Sequence, residues 1–154
     1  MGTHYKGSNK EINALDSYIK LLRAAETVSA RVNASLIKKG LTESQFAVLE
    51  ALYHLGPQCQ KDIGKKLLRS GGNITLVVDN LEKQELVKRA RSETDRRFFT
   101  VHLTDKGKSL IEELFPDQLK LIVEEMSVLS EKEQSEFQSL CKKIGIKDIK
   151  NIEN

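Results

Sequence analysis

The chain has two cysteines and two prolines in 154 residues, and no apolar run approaches the roughly 18 residues that would span a bilayer. Cys59 and Cys141 stand far apart, so they read as free thiols rather than a disulfide framework. The opening MGTHYKGSNKE lacks the hydrophobic segment of a signal peptide, and the expected compartment is the cytoplasm. There the sequons at Asn33 and Asn73 are chance matches. His4, His54 and His102 are scattered, without HExxH or HxxxH spacing, and nothing offers the three convergent ligands that a metal site needs. The phosphate-binding GxxxxGK[ST] and nucleophile GxSxG patterns are also missing. Enzyme chemistry, a cofactor and a resident metal therefore have no positive support. Hydrophobic residues at 39% and charged residues at 31% fit one soluble, helix-rich domain with helical extensions, without internal repeats or low-complexity tracts.

What is present is helical periodicity. Ile12, Leu15, Ile19, Leu22, Ala25, Val28, Val32 and Leu36 recur every three or four positions, predicting one long amphipathic helix that ends near Gly40. Thr42 caps a second helix through Phe46, Leu49, Leu52 and Tyr53, stopped by Gly56-Pro57. A third, shorter helix is expected over about 60–68, with Ile63 and Leu67 inward. Ser70-Gly71-Gly72 breaks the chain, and Ser70 caps a fourth helix with Ile74, Val77, Val78 and Leu81 inward. Next, the β-prone run 87–91 is followed by SETDRRFFTVHLT at 92–104. Two short runs around a polar turn predict a hairpin, with His102 on its outer face. Thr104 caps a fifth helix through Leu110, Leu114, Leu119, Ile122 and Met126, which Pro116 should kink or interrupt. The capping box Ser130-Glu-Lys-Glu133 opens a sixth, with Phe137, Leu140 and Ile144 inward and Cys141 at its interior edge.

Two short helices joined by a tight turn and followed by a basic hairpin have the layout of a winged helix-turn-helix, mainly α with a small β-hairpin. Residues 41–107 form that module, and residues 1–40 with 108–154 are expected to form a helical dimerisation domain. Charge agrees: residues 61–106 hold 11 of the 25 basic but only 7 of the 22 acidic residues, so the net +3 is concentrated there.

On the fourth helix, Asn73, Thr75, Leu76, Asp79, Asn80 and Lys83 lie off the inward stripe. Asn73, Thr75 and Leu76 occupy the first turn or so, where a recognition helix meets base edges. Asn bonds adenine, Thr bonds a base or touches a thymine methyl, and Leu makes apolar contact. The helix N-terminus suits a phosphate, flanked by Lys65, Lys66 and Arg69. On the hairpin, Lys88, Arg89 and Arg91 run within reach of backbone phosphate. Arg96 or Arg97 at the tip suits a narrow minor groove, with Asp95 bonding Arg97 to shape the tip. Taken singly, the helix reads equally as a solvated polar face and the hairpin as an ordinary surface loop. A winged-helix module that docks an acidic protein without reading DNA remains the alternative.

LTESQFAVLEAL, GNITLVVDNLEKQELVKR and DRRFFTVHLTDKG together resemble the MarR (multiple antibiotic resistance regulator) family of bacterial transcription factors. The Asp95-Arg96-Arg97 turn and the Leu103-Thr104-x-x-Gly107 exit are the most specific pieces, and the resemblance covers nearly the whole chain. It implies a homodimeric winged-helix repressor that binds a near-palindromic double-stranded operator and is released by small phenolic ligands. ALDSYIKLLRAAE and GNITLVVDNLEK look most like the branch associated with quinone, catechol and electrophile stress. Family geometry also implies a ligand pocket between the dimer helices and the DNA-binding lobe, which Tyr53 and His54 would line. Cys59, beside the start of the third helix and near Lys61, is a second candidate sensor for quinones or oxidants, with plain packing as its alternative. The outer apolar stripes exceed what a small module can cover. A two-fold dimer would bury them and set two recognition helices one DNA turn apart; closing a monomeric core is the competing account.

Overall fold

Ser8 starts the first helix by accepting the Glu11 N–H on its hydroxyl, while the Glu11 carboxylate accepts the Ser8 N–H. From this capping box α1 (Asn9–Lys38) runs for 30 residues and ends before Gly40, whose φ of 74° is left-handed. A second box, Thr42 with Gln45, starts α2 (Glu43–Leu55), which ends at Gly56. There follow β1 (Gln58–Cys59), α3 (Gln60–Lys66), α4 (Gly71–Lys83), β2 (Val87–Arg91), β3 (Phe99–Leu103), α5 (Asp105–Met126) and α6 (Glu131–Gly145). The computed structural model describes residues 2–67, 71–91 and 98–145. The expected cap Ser70 lies outside them. None of the described helices is long and apolar enough to cross a membrane.

The fold class is as expected, with two differences in detail. The hairpin is present, β2 against β3, but β3 also pairs with β1, giving a three-stranded antiparallel sheet in the order β1-β3-β2. Two residues show no alternation, so periodicity cannot reveal β1. Pro116 does not interrupt α5, which is continuous from Asp105 to Met126. Proline removes one ladder donor, and the helix runs on through that loss.

The chain forms two compact units, Met1–Gln118 and Leu119–Asn154. In the first, Val48, Leu49, Ile63, Ile74, Val78, Leu81, Val101 and Ile111 are almost wholly inaccessible and form one core beneath the sheet and helices. Each fully buried aliphatic side chain contributes about 1.5–3 kcal/mol. Gln118 is buried too: its amide donates to the Val32 carbonyl of α1 at 2.9 Å, and its carbonyl accepts the Ser35 hydroxyl at 3.2 Å. Both polar ends are thus satisfied.

The second unit opens α6 with the expected box. The Ser130 hydroxyl and then its backbone N–H bond the Glu133 carboxylate and hold that carboxyl below its ordinary value, as Ser8 does for Glu11. Phe137, Leu140 and Ile144, expected inward, are instead 43%, 57% and 63% exposed, and α6 has no buried residue. A periodic stripe announces that a face is to be covered, not what covers it.

The exit from α4 is tied to the entry of α5. Glu85 turns left-handed at φ 61°, and its carbonyl accepts the Thr104 hydroxyl at 2.7 Å. The Thr104 N–H donates to the Leu86 carbonyl at 3.1 Å, and the Thr104 hydroxyl caps α5 by accepting the Gly107 N–H at 3.0 Å. A Cβ on Gly107 would lie 1.9 Å from the Leu86 oxygen, so only glycine fits. Gly107→Ala should therefore cost about 2–3 kcal/mol, lowering Tm by roughly 4–10 °C in a thermal melt, with little loss of helix signal. An unshifted Tm contradicts this close approach.

Candidate nucleic-acid interface

At roughly 100° per residue, α4 divides into three stripes about a third of a turn apart. Ile74, Val77, Val78 and Leu81 form the first, and all four are buried. The second holds Thr75, Asp79 and Glu82. The third holds Asn73, Leu76, Asn80 and Lys83. Asn73, Leu76 and Lys83 are exposed and Asn80 is half-buried; Leu76, an aliphatic residue, is 60% exposed.

The second stripe meets Arg89. Along β2 the side chains alternate, so Val87, Arg89 and Arg91 share the face whose inner member, Val87, is buried. Arg89 is turned onto α4, and only 18% of its side chain is accessible. Its Nη2 donates to Asp79 Oδ1 at 2.6 Å and to the Thr75 carbonyl at 3.4 Å, and its Nη1 donates to Glu82 Oε2 at 2.7 Å. The Arg89 Nε donates to Gln60 Oε1 at 3.1 Å, and the Gln60 amide in turn donates to Thr75 Oγ1 at 2.8 Å. The Arg89 backbone N–H also donates to Glu82 Oε1 at 3.0 Å. One guanidinium thus joins β2, α3 and α4, using the planar fork of donors that lysine lacks.

Arg89, expected along the strand within reach of phosphate, therefore has both its terminal nitrogens on carboxylates. Thr75, expected outward, is exposed, and its hydroxyl accepts the Gln60 amide beside the clamp. Neither Gln60 nor the Asp79–Glu82 pair stood out from sequence, although the period-2 alternation from Val87 places Arg89 on the inner face.

The remaining expected contacts lie on α3 and β2 or outside the described residues. Lys65 and Lys66 are exposed in the last turn of α3, Lys65 lying 4.0 Å from Asp62. Lys88 and Arg91 are exposed on β2, and His102, opposite Lys88, is half-buried. Arg69, Ser70, Asp95, Arg96 and Arg97 lie outside the described residues.

The candidate sensor residues are separate from one another in character. Tyr53 and His54 are exposed at the end of α2; the His54 ring meets Phe115 of α5 edge-on at 4.7 Å and Tyr53 at 5.1 Å. Cys59 is half-buried, pairs with Thr100 across the sheet, and precedes α3 without a side-chain cap bond. A concavity of about 530 Å³ lies at the α1–α2 turn, lined by Ser29, Ala30, Asn33, Ile37, Gly40, Leu41, Thr42 and Glu43, and none of these three residues borders it. Among the described residues no three His, Cys, Asp or Glu converge on a point.

Breaking the Arg89 cluster leaves two carboxylates facing each other on one helix stripe. Because both are about two-fifths exposed, Arg89→Ala should cost only about 1–2 kcal/mol in urea unfolding, whereas exposed Arg91→Ala should shift stability by less than about 0.5 kcal/mol. Equal effects at the two arginines contradict this geometry.

The sequence profile of the MarR family matches residues 41–98. The chain is 42% identical over 133 residues to the HTH-type transcriptional regulator MhqR of Bacillus subtilis (strain 168), covering 86% of this chain and 92% of that protein. Among solved structures it is similar to BpsR of Bordetella bronchiseptica, whose DNA binding is regulated by 6-hydroxynicotinic acid, with TM-score 0.74, 26% identity, and 84% and 98% of the two chains covered. It is also similar to reduced AbfR bound to DNA, with TM-score 0.71, 25% identity, and coverage of 88% and 94%.

Proposed function

The chain belongs to the MarR family and is a DNA-binding transcriptional regulator, and from that premise we propose that it is a homodimeric repressor of an inverted-repeat operator. The carrying observation is the third stripe of α4. A helix with two faces engaged presents Asn73, Leu76, Asn80 and Lys83 on the remaining one, and an exposed leucine beside an asparagine suits an A·T pair with its thymine methyl. In this reading Lys65, Lys66, Arg69, Ser70, Lys88 and Arg91 hold phosphates, Thr75 touches a base, and Asp95 shapes the wing tip so that Arg96 and Arg97 enter the minor groove.

The dimer is supported by apolar surface that the chain itself leaves uncovered. It includes Leu15, Tyr18 and Leu22 on α1, Leu119, Ile122 and Val123 on α5, and Phe137, Leu140 and Ile144 on α6. Residues 1–40 and 108–154 are assigned the dimer contact, and residues 41–107 the DNA contact. The protein works in the cytoplasm by binding, with no catalytic step.

Relief of repression is assigned to a small phenolic or quinone effector, acting in a pocket near Tyr53 and His54 or on the Cys59 thiol. Control by a hydroxylated aromatic acid in BpsR supports the first lever. Cys59 joins β1, β3 and α3 at the clamp's edge, so an adduct there would strain the helix pair. Either lever works if it favours the DNA-incompetent arrangement by about 1–3 kcal/mol.

The purified chain should sediment as a dimer and bind an inverted-repeat duplex with affinity that falls steeply with salt, because each phosphate contact releases counterions. In a shift assay Arg97→Ala should weaken binding by about 1–3 kcal/mol, Arg96→Ala somewhat less and Asp95→Ala least. A monomer, or equal affinity for scrambled DNA, points to the protein-docking reading instead. For the effector, methylbenzoquinone should release wild type but not Cys59→Ser if the thiol senses it. A salicylate-like compound should release both equally, with no added mass, if the pocket does.

A further inference from the structure

We infer that Arg89 is a positioning residue for DNA sequence discrimination rather than a phosphate contact, acting through Gln60 and Thr75 to hold α4 at one angle to the wing. The inference rests on the DNA-reading role proposed above. Three observations carry it. First, the guanidinium is largely covered, and its three nitrogens meet Asp79, Glu82, Gln60 and the Thr75 carbonyl, so a phosphate would have to displace carboxylates already at 2.6 and 2.7 Å. Second, the Arg89–Gln60 bond fixes which end of the Gln60 amide faces α4. Its carbonyl takes Nε, leaving the amide N–H to hold Thr75 Oγ1 at 2.8 Å. The hydroxyl of a residue in the first two turns of α4 is thereby oriented by a side chain from β2.

Third, the cluster joins all three elements of the reading head. Thr75, Asp79 and Glu82 span two turns of α4, so Arg89 grips the helix along its length rather than at a point. It also offsets two carboxylates that would otherwise repel a polyanion from the helix that must approach it. Losing this grip lets α4 rock about its buried stripe. Rocking damages base contacts, which need defined angles, far more than contacts to phosphate, which depend mainly on charge.

The test uses the full chain and the duplex that wild type selects from a randomised pool, with a scrambled duplex of equal length as reference. Binding is read by fluorescence anisotropy across a salt series. Arg89→Lys retains the charge but cannot reproduce the fork, and Gln60→Ala removes the relay without altering charge. Both should lower affinity for the selected duplex about five- to tenfold while leaving scrambled-duplex affinity and the slope of log K against log salt as in wild type. The inference is overturned if Arg89→Lys matches wild type on both duplexes while Arg89→Gln lowers the salt slope by about one, since that is the signature of a phosphate contact. Equal losses on both duplexes, in step with a fall in Tm, also overturn it and leave a simple structural brace. A wild-type chain that enriches no sequence removes the DNA-reading role itself, and the inference with it, before any variant is compared.

Discussion

The proposed reading of DNA depends on how α4 is held, and it is held on two of its three faces. The buried stripe supplies most of the energy: four aliphatic side chains at about 1.5–3 kcal/mol each far outweigh a half-exposed ion cluster. Yet apolar contact is non-directional, and a helix lying on a smooth core can roll. The Arg89 cluster adds little stability but has fixed geometry, and it joins a strand, a short helix and two turns of α4. Stability and direction therefore come from different faces of the same helix.

The α4 exit carries that direction onward. Glu85, Leu86, Thr104 and Gly107 form a knot in which one threonine bonds the chain leaving α4, caps α5, and stands at the end of β3. Gly107 allows the helix to sit directly against the Leu86 carbonyl. Within the first unit, α4, the sheet and the start of α5 are therefore bonded to one another, and Gln118 extends the connection to α1. In a two-fold dimer, a small rotation of such a bonded group shifts the separation of the recognition helices. They must match successive major grooves roughly 34–36 Å apart. The proposed release by an effector distant from DNA would act through such a rotation.

Legibility of the fold followed the strength of local chemistry. Thr42, Gly56, Thr104 and Ser130 each carry their own signal for a helix end, and each stands at the end it announced. The hairpin was visible because alternation and a polar turn coincide. β1 was not, because two residues have no period. Pro116 does not end α5 because proline penalises a helix without forbidding one already committed by the stripes on either side. The stripes of α1 and α6 were legible as faces to be covered, but a sequence does not say whether its own chain supplies the cover.

The candidate site was legible in kind but not in detail. Basic charge, a polar helix and a hairpin pointed to residues 61–106, yet Arg89 looked like its neighbours Lys88 and Arg91. Its partners are distant in sequence: Gln60 on one side, and a Thr-Asp-Glu stripe that reads as ordinary solvated surface on the other. Only the three-way division of α4 separates the clamp from the proposed reading face. The most direct test of that division is to repeat the binding-site selection with Asn73→Ala. The account predicts relaxed preference at one base pair in each half-site, with the remaining positions and the spacing retained. A preference identical to wild type at every position would contradict it.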